Sequence, residues 1–400
     1  QVLSPEAQAL IRDGVRISIG HDAQNVIGAD LVVRSSAIPD DNPEVRAARN
    51  AGIPVLKRSD YLGQLMANDK CIAIAGTHGK TTTTELVQRI LSFTGTTCLA
   101  CGNYGVPFAE IVLLEDPPAS VALEVSSFQL ETITSFHPEV VIWLNFSADH
   151  MDRYPTIEAY KNAKLRVFEN LTEDDLIVAR AGENIGAQNA RICTFSTENS
   201  ADYNLDGASI KRDGQAVLDL SVTQLRGLHN AENAMAAVAA CEPFGVDPGA
   251  ANEALCGFAP PLHRCELVRT LDGVEYINDS KATTLDAALA AVCSFDRPVR
   301  ILMGGVWKGG DVARFAREVD GSVVQVGLFG GAREDLEPEL GKRFPVSWDE
   351  TLEGATRRLA AEADPGDVIL LSPATASFDQ YNGMAERGAD FKRVVEGLHD

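Results

Sequence analysis

The sequence predicts an α/β fold in three domains, and three features carry that expectation. Short β-branched runs alternate with amphipathic stretches along the chain, the order of strand and helix units in a parallel sheet. The 400 residues exceed what one ordinary hydrophobic core organises. A new section starts near Lys70, and the Pro260 and Pro261 pair after Gly257 is the best linker in the chain. The domains expected are therefore 1–69, 70–261 and 262–400, the outer two Rossmann-like.

In the first domain, Val15 to Ile19, Leu31 to Arg34 and Ile53 to Leu56 read as strands. Between the last two, Asn42 and Pro43 start a helix that Gly52 stops. No glycine-rich turn and no initiator Met precede this unit, so it reads as truncated at its N-terminus. The second domain opens on the strand Cys71 to Ala75, continues through Val121 to Leu123 and Val140 to Leu144, and closes on the Ala-rich helix Ala231 to Cys241. In the third, Glu275 to Ile277, Val299 to Met303, Val323 to Phe329 and Val368 to Leu371 read as strands separated by helices.

Composition excludes several classes of function. With 57 acidic against 35 basic residues, the net charge of -22 argues against sequence-independent nucleic-acid binding, which needs a basic face. No apolar run reaches the roughly 18 to 20 residues of a membrane helix, so the expectation is a cytoplasmic protein without a membrane span. Eight scattered cysteines do not make a disulfide framework, and the single CxxC at Cys98 and Cys101 lacks the second pair of a zinc site.

Chemistry concentrates where strands end. The segment IAIAGTHGKTTTT puts Gly76, Thr77, His78, Gly79, Lys80, Thr81 and Thr82 between an apolar strand and a helix. Glycines let backbone amides wrap phosphate oxygens, the helix N-terminus adds its positive dipole end, and Lys80 adds charge. The Thr81 hydroxyl suits Mg²⁺. This marks the central domain as a P-loop ATPase domain, although Ile74 stands where the common form of the loop has its first glycine. Such a loop needs an acidic metal partner at the end of a neighbouring strand, and Glu124 ends Val121 to Leu123.

After Val140 to Leu144 come Asn145, Asp149, His150, Asp152 and Arg153. His150 fits a second metal or a transferring phosphate, while Asp152 is explained by capping the next helix. In GLHNAEN, Asn230 and Asn233 share a helix face, and on their own they read as caps or packing contacts. Asp279, Ser280, Lys281 and Thr283 follow a strand and open a helix. Gly304, Gly305, Lys308, Gly309 and Asp311 repeat that design, and their basic residues can bind carboxylate or phosphate.

Together these motifs resemble the ATP-dependent Mur ligases from about Asp30 to the C-terminus. GTHGKTTTT, the Asn145 to Tyr154 cluster, GLHNAEN, His263 to Glu266 and NDSKAT at Asn278 to Thr283 match that family in order and spacing. Within it, EVSSFQLE at Glu124 to Glu131 and LLSPATASFDQYNGMAERGADF at Leu370 to Phe391 are similar to the branch that adds D-glutamate to UDP-N-acetylmuramoyl-L-alanine. His78 and SSAIPDDNPEV at Ser35 to Val45 look more like the L-alanine-adding branch, which is the nearest alternative. A folylpolyglutamate synthase-like ligase and a nucleotide-dependent binding protein that ligates nothing are the others.

The resemblance implies a nucleotide-sugar domain, an ATPase domain and an amino-acid domain. It also implies ATP with two Mg²⁺ ions, an acyl-phosphate route and a monomer. Thr81 and Glu124 would hold one ion. His150 would hold the other, with Lys164 of YKNAKLRVFEN, where related ligases carry a carbamoylated lysine. Asn103, Ser126 and Ser127 would meet the muramoyl substrate; Asn230, Asn233, Arg264, Asp279 and Lys281 would serve ATP; Thr283, Lys308 and Ser377 would meet D-glutamate. Lys80, His150 and Lys164 would be the catalytic residues. Met384 stands where that family usually has an aromatic residue.

Overall fold

The computed structural model describes residues 5–35, 38–65, 70–147, 153–259, 262–295 and 297–399. Among these the strands form three sheets, of two, nine and six members. The first pairs β1 (Val32–Arg34) with β2 (Val55–Lys57) in parallel. The helix Pro43–Asn50 connects them, with the Asn42 side chain accepting from the Glu44 amide as its cap and Pro43 fixing its first turn. Val15 to Ile19 is not a strand: it has no ladder partner among the described residues, and Val15 and Ile19 are exposed. Its alternating pattern is that of a strand, but a strand forms only where a neighbour takes its backbone hydrogen bonds.

The central sheet is built from β3 (Cys71–Ala75), β4 (Cys98–Gly102), β5 (Ser120–Glu124), β6 (Val140–Trp143), β7 (Leu176–Arg180), β8 (Arg191–Ser196), β9 (Tyr203–Asp206), β10 (Ser209–Arg212) and β11 (Gln215–Asp219). Their spatial order is β11-β10-β9-β8-β7-β6-β3-β5-β4. All neighbours from β4 to β9 run parallel, and β10 and β11 close the far edge as antiparallel strands. Since β3 lies between β5 and β6, the chain leaves it toward one edge and later returns to its other side. That reversal opens a crevice at the carboxyl ends of these three strands.

Period-two alternation sends Ile72 and Ile74 into one core layer and Cys71, Ala73 and Ala75 into the other. The first layer contains the helices Lys80–Phe93 and Leu228–Cys241, and the alanines of the second let the two pack closely. The same alternation settles the CxxC: Cys98 lies in one layer and Cys101 in the other, so they cannot share a metal. Burial pushes their thiols up to about 11 and about 12.

The third sheet contains β12 (Glu266–Leu271), β13 (Val274–Asn278), β14 (Val299–Gly304), β15 (Val323–Phe329), β16 (Val346–Asp349) and β17 (Val368–Leu371), ordered β12-β13-β17-β14-β15-β16. Only β12 is antiparallel to its neighbour. Because β17 sits between β13 and β14, the segments after all three strands meet at one end of the sheet. Pro260 and Pro261 lie outside the described residues.

Candidate active site

The loop after β3 turns on two glycines with positive φ, Gly76 (+144°) and Gly79 (+86°). Asn145, just past β6, holds this loop from its neighbour: its backbone oxygen accepts from Thr77 N (3.0 Å), its Oδ1 from His78 N (2.9 Å), and its Nδ2 donates to His78 O (3.2 Å). Lys80 Nζ donates to the carbonyls of Gly76 (3.0 Å) and Thr77 (2.8 Å). Lys164, 3% exposed on the helix Ile157–Leu165, donates from Nζ to the Gly76 carbonyl at 2.6 Å. Thr156 caps that helix. Asp152, expected to cap it, lies outside the described residues with Asp149 and His150.

Thr81 Oγ1 donates to the Glu124 carboxylate at 2.8 Å, and both residues are buried. Asn103 Nδ2 donates to the other Glu124 oxygen at 2.9 Å. From the third sheet, Arg264 reaches across and donates to Thr81 Oγ1 at 2.7 Å. Between the two sheets lies a cavity of about 270 Å³, lined by Thr77, His78, Gly79, Lys80 and Thr82 on one side. Asn230 and Asn233, Arg264, Asp279, Lys281 and Thr283 complete it. Asn233 Nδ2 donates to Asn230 Oδ1 at 3.1 Å, as expected of two residues one helical turn apart.

Burial pushes the Asp279 carboxyl up to about 7, opposed by the Ser372 hydroxyl and Arg264. Burial and then Arg264 bring the Lys281 amine down to about 8. His229, just before Asn230 and not among the candidates drawn from the sequence, also lines the cavity. Burial and Arg264 bring its imidazole down to about 4, so it is neutral.

A nucleoside triphosphate with a divalent cation fits these residues. Arg264 Nε is buried with no hydrogen-bond partner among the described residues, an orphan that a ligand oxygen would satisfy. The Thr81 and Glu124 oxygens are the hard donors that Mg²⁺ prefers. At Gly79 any Cβ would stand 2.3 Å from Asn233 Oδ1, so the backbone alone can face the cavity there. Gly79→Ala is therefore expected to lower kcat/KM at least about tenfold, since backbone placement sets the anion site. Steady-state kinetics with a thermal melt checks it.

The remaining candidates form two groups. Asn103 and Ser126 follow β4 and β5, next to a mostly apolar cavity of about 220 Å³ that Gly102, Val125 and Gln129 help to line. Ser126 makes a capping box with Gln129, and Ser127 is buried. In the third sheet, reciprocal hydrogen bonds between Val306 and Ala376 (2.8 and 3.1 Å) lay the Lys308 loop against the Ser377 segment. Lys308 is exposed and Ser377 buried. Thr283 lines the cavity shared with the loop after β3 rather than sitting with these two.

A UDP-N-acetylmuramoylalanine--D-glutamate ligase from Oleidesulfovibrio alaskensis is 41% identical over 382 residues, covering 94% of this chain and 81% of that protein. This chain belongs to the Mur ligase family. The ligase of the same name from Lawsonia intracellularis is 41% identical, over 86% of this chain and 74% of its own length. Family descriptions match in the order found in the fold: "Mur ligase family, catalytic domain" at 3–70, "Mur ligase middle domain" at 74–241, and "Mur ligase, glutamate ligase domain" at 263–375.

Among solved Mur ligases, UDP-N-acetylmuramate-alanine ligase MurC from Thermotoga maritima has the same fold. Its TM-score is 0.65 at 21% identity, covering 99% of this chain and 92% of that one. MurF ligase from the same organism, in complex with ADP, gives 0.63 at 15%, covering 93% of this chain and 97% of its own.

Proposed function

We infer that this Mur ligase couples ATP hydrolysis to joining D-glutamate to UDP-N-acetylmuramoyl-L-alanine, a step of peptidoglycan precursor synthesis. The observation that carries the reading is its 41% identity over nearly its whole length to a ligase of that name. The cavity shared by the loop after β3 and Arg264 supports it. L-Alanine addition, suggested by His78 and Ser35 to Val45, has no comparable support. We further propose that the work divides among 1–69 for the sugar nucleotide, 70–261 for ATP and 262–400 for the amino acid, in a cytoplasmic monomer. Among the described residues no helix is long and apolar enough to cross a membrane.

In this mechanism the L-alanyl carboxylate of UDP-N-acetylmuramoyl-L-alanine attacks the γ-phosphorus of ATP. An acyl phosphate forms and ADP leaves. The D-glutamate amine then attacks the acyl carbon, loses a proton, and expels inorganic phosphate. Both steps build negative charge on oxygen, so catalysis is positioning and charge neutralisation rather than nucleophilic help. The amides of Gly76 to Thr81 and the Lys80 ammonium face the triphosphate, Arg264 and Lys281 close it from the third domain, and Asn230 and Asn233 lie on the adenine side. Mg²⁺ held by Thr81 and Glu124 would neutralise phosphate charge; a second ion would be held by His150 and by Lys164 once carbamoylated. Asn103, Ser126 and Ser127 orient the muramoyl nucleotide.

Lys308 and Ser377 supply donors for the two D-glutamate carboxylates, while Thr283, on the cavity shared with the loop after β3, faces the reacting phosphate instead. The test is phosphate release with UDP-N-acetylmuramoyl-L-alanine and UDP-N-acetylmuramate, each against D-glutamate and L-alanine. Only the first nucleotide with D-glutamate should release phosphate; release from UDP-N-acetylmuramate with L-alanine would overturn the reading. Lys308→Ala should raise the D-glutamate KM about ten- to a hundredfold, the size of a lost charged hydrogen bond, with the ATP KM much less affected.

A further inference from the structure

Across the cleft between the central and third sheets, Lys281 Nζ lies 4.7 Å from the centroid of the Tyr104 ring. Tyr104 follows Asn103 in the GNYG turn after β4, and Lys281 belongs to the segment after β13. The ring is braced from a third direction, because the Tyr104 hydroxyl donates to the carboxylate of Glu85 on the helix Lys80–Phe93. Burial and Glu85 hold the phenol far above its ordinary pKa, so it stays a neutral donor. None of the roles assigned above uses Tyr104 or Glu85.

We propose that Tyr104, braced by Glu85, is a positioning residue: its ring face seats the Lys281 ammonium across the interdomain cleft. The proposal rests on the ligase reading, in which Lys281 meets the triphosphate. Lys281 faces two other cations, Arg264 and Lys80, and two acids, Glu124 and Glu85. Burial and Arg264 both work against its charge. A carboxylate placed directly against this amine would hold it but cancel the charge that the phosphate needs. An aromatic face attracts the ammonium while leaving its N–H donors and its charge available. The seat also ties the loop that carries Asn103, the helix that begins at Lys80, and the third domain to one point.

The test replaces residue 104 in the full chain and measures phosphate release with whichever amino acid the wild type couples. Tyr104→Leu should lower kcat about thirtyfold, the size of a desolvated cation–π contact. KM values for ATP and the sugar nucleotide should change less. Tyr104→Phe keeps the ring face but loses the hydroxyl–carboxylate brace to Glu85, and kcat should fall by less than about tenfold, since the ammonium keeps its seat. Starting from that variant, successive fluorination of the ring at position 104 weakens its quadrupole at nearly constant shape, so log kcat should fall stepwise with each fluorine. A flat fluorine series would overturn the seat, and so would a Phe variant as damaged as the Leu variant. A wild type that couples L-alanine instead would overturn the substrate reading while leaving the fluorine series legible.

Discussion

Lys80→Ala should lose turnover by a factor on the order of 10² to 10³ or more, the cost known for removing one preorganised donor from a developing oxyanion. Lys80 is the first residue of the helix Lys80–Phe93, and its Nζ is held at the loop by the Gly76 and Thr77 carbonyls. These two bonds hold the ammonium at the loop that we propose binds the triphosphate. The fold should survive, because the loop keeps its Asn145 hydrogen bonds and the helix is buried through Leu86, Val87, Ile90 and Leu91. Single-turnover phosphate release, with a thermal melt as control, separates the two effects. A near-native rate would remove the loop after β3 from the phosphate chemistry.

The strands that end at the site were legible because they are fully buried and read as continuous apolar runs: Cys71 to Ala75, Val140 to Leu144 and Val368 to Leu371. The strand Cys98–Gly102 was not, since Cys, Ala and Gly carry little β signal. At the far edge, β9 to β11 are short and polar on their outer face. Their signal was the Asp213-Gly214 pair between β10 and β11, the strongest short-range mark of a hairpin, and Gly207, which opens the turn between β9 and β10. In the site, residues on one strand end or one helix face could be grouped from spacing alone, as Asn230 and Asn233 were.

What spacing cannot give is how two domains face each other. Arg264 on Thr81 and Lys281 on Tyr104 join residues 183 and 177 positions apart in sequence through that orientation. The same gap explains why Thr283, grouped with Lys308 by resemblance, lines the cavity shared with the loop after β3. The segment after β13 faces the central domain, whereas Lys308 and Ser377 follow β14 and β17.

Lys164→Ala should also be near-inactive, and the way activity returns decides what Lys164 is. Its Nζ is buried, donates to the Gly76 carbonyl at 2.6 Å, and lies 5.0 Å from the Tyr160 ring centroid. As a plain amine it would tether the loop after β3 with a positive charge. As a carbamate, which we propose, the nitrogen keeps one N–H and can still donate to Gly76, while the new carboxylate extends beyond it as an anionic ligand. The two states make opposite predictions. If the missing group is an anion, formate or acetate added to Lys164→Ala should restore part of a loss on the order of 10² or more, the scale of a lost electrostatic contact in the transition state. If it is a cation tethering the loop, carboxylates should do nothing and small alkylamines should rescue instead. Carbon-13 NMR of wild type equilibrated with labelled bicarbonate reads the same question directly: a carbamate resonance that disappears in Lys164→Ala is expected. Fully active protein without that resonance would show that the free amine does the work.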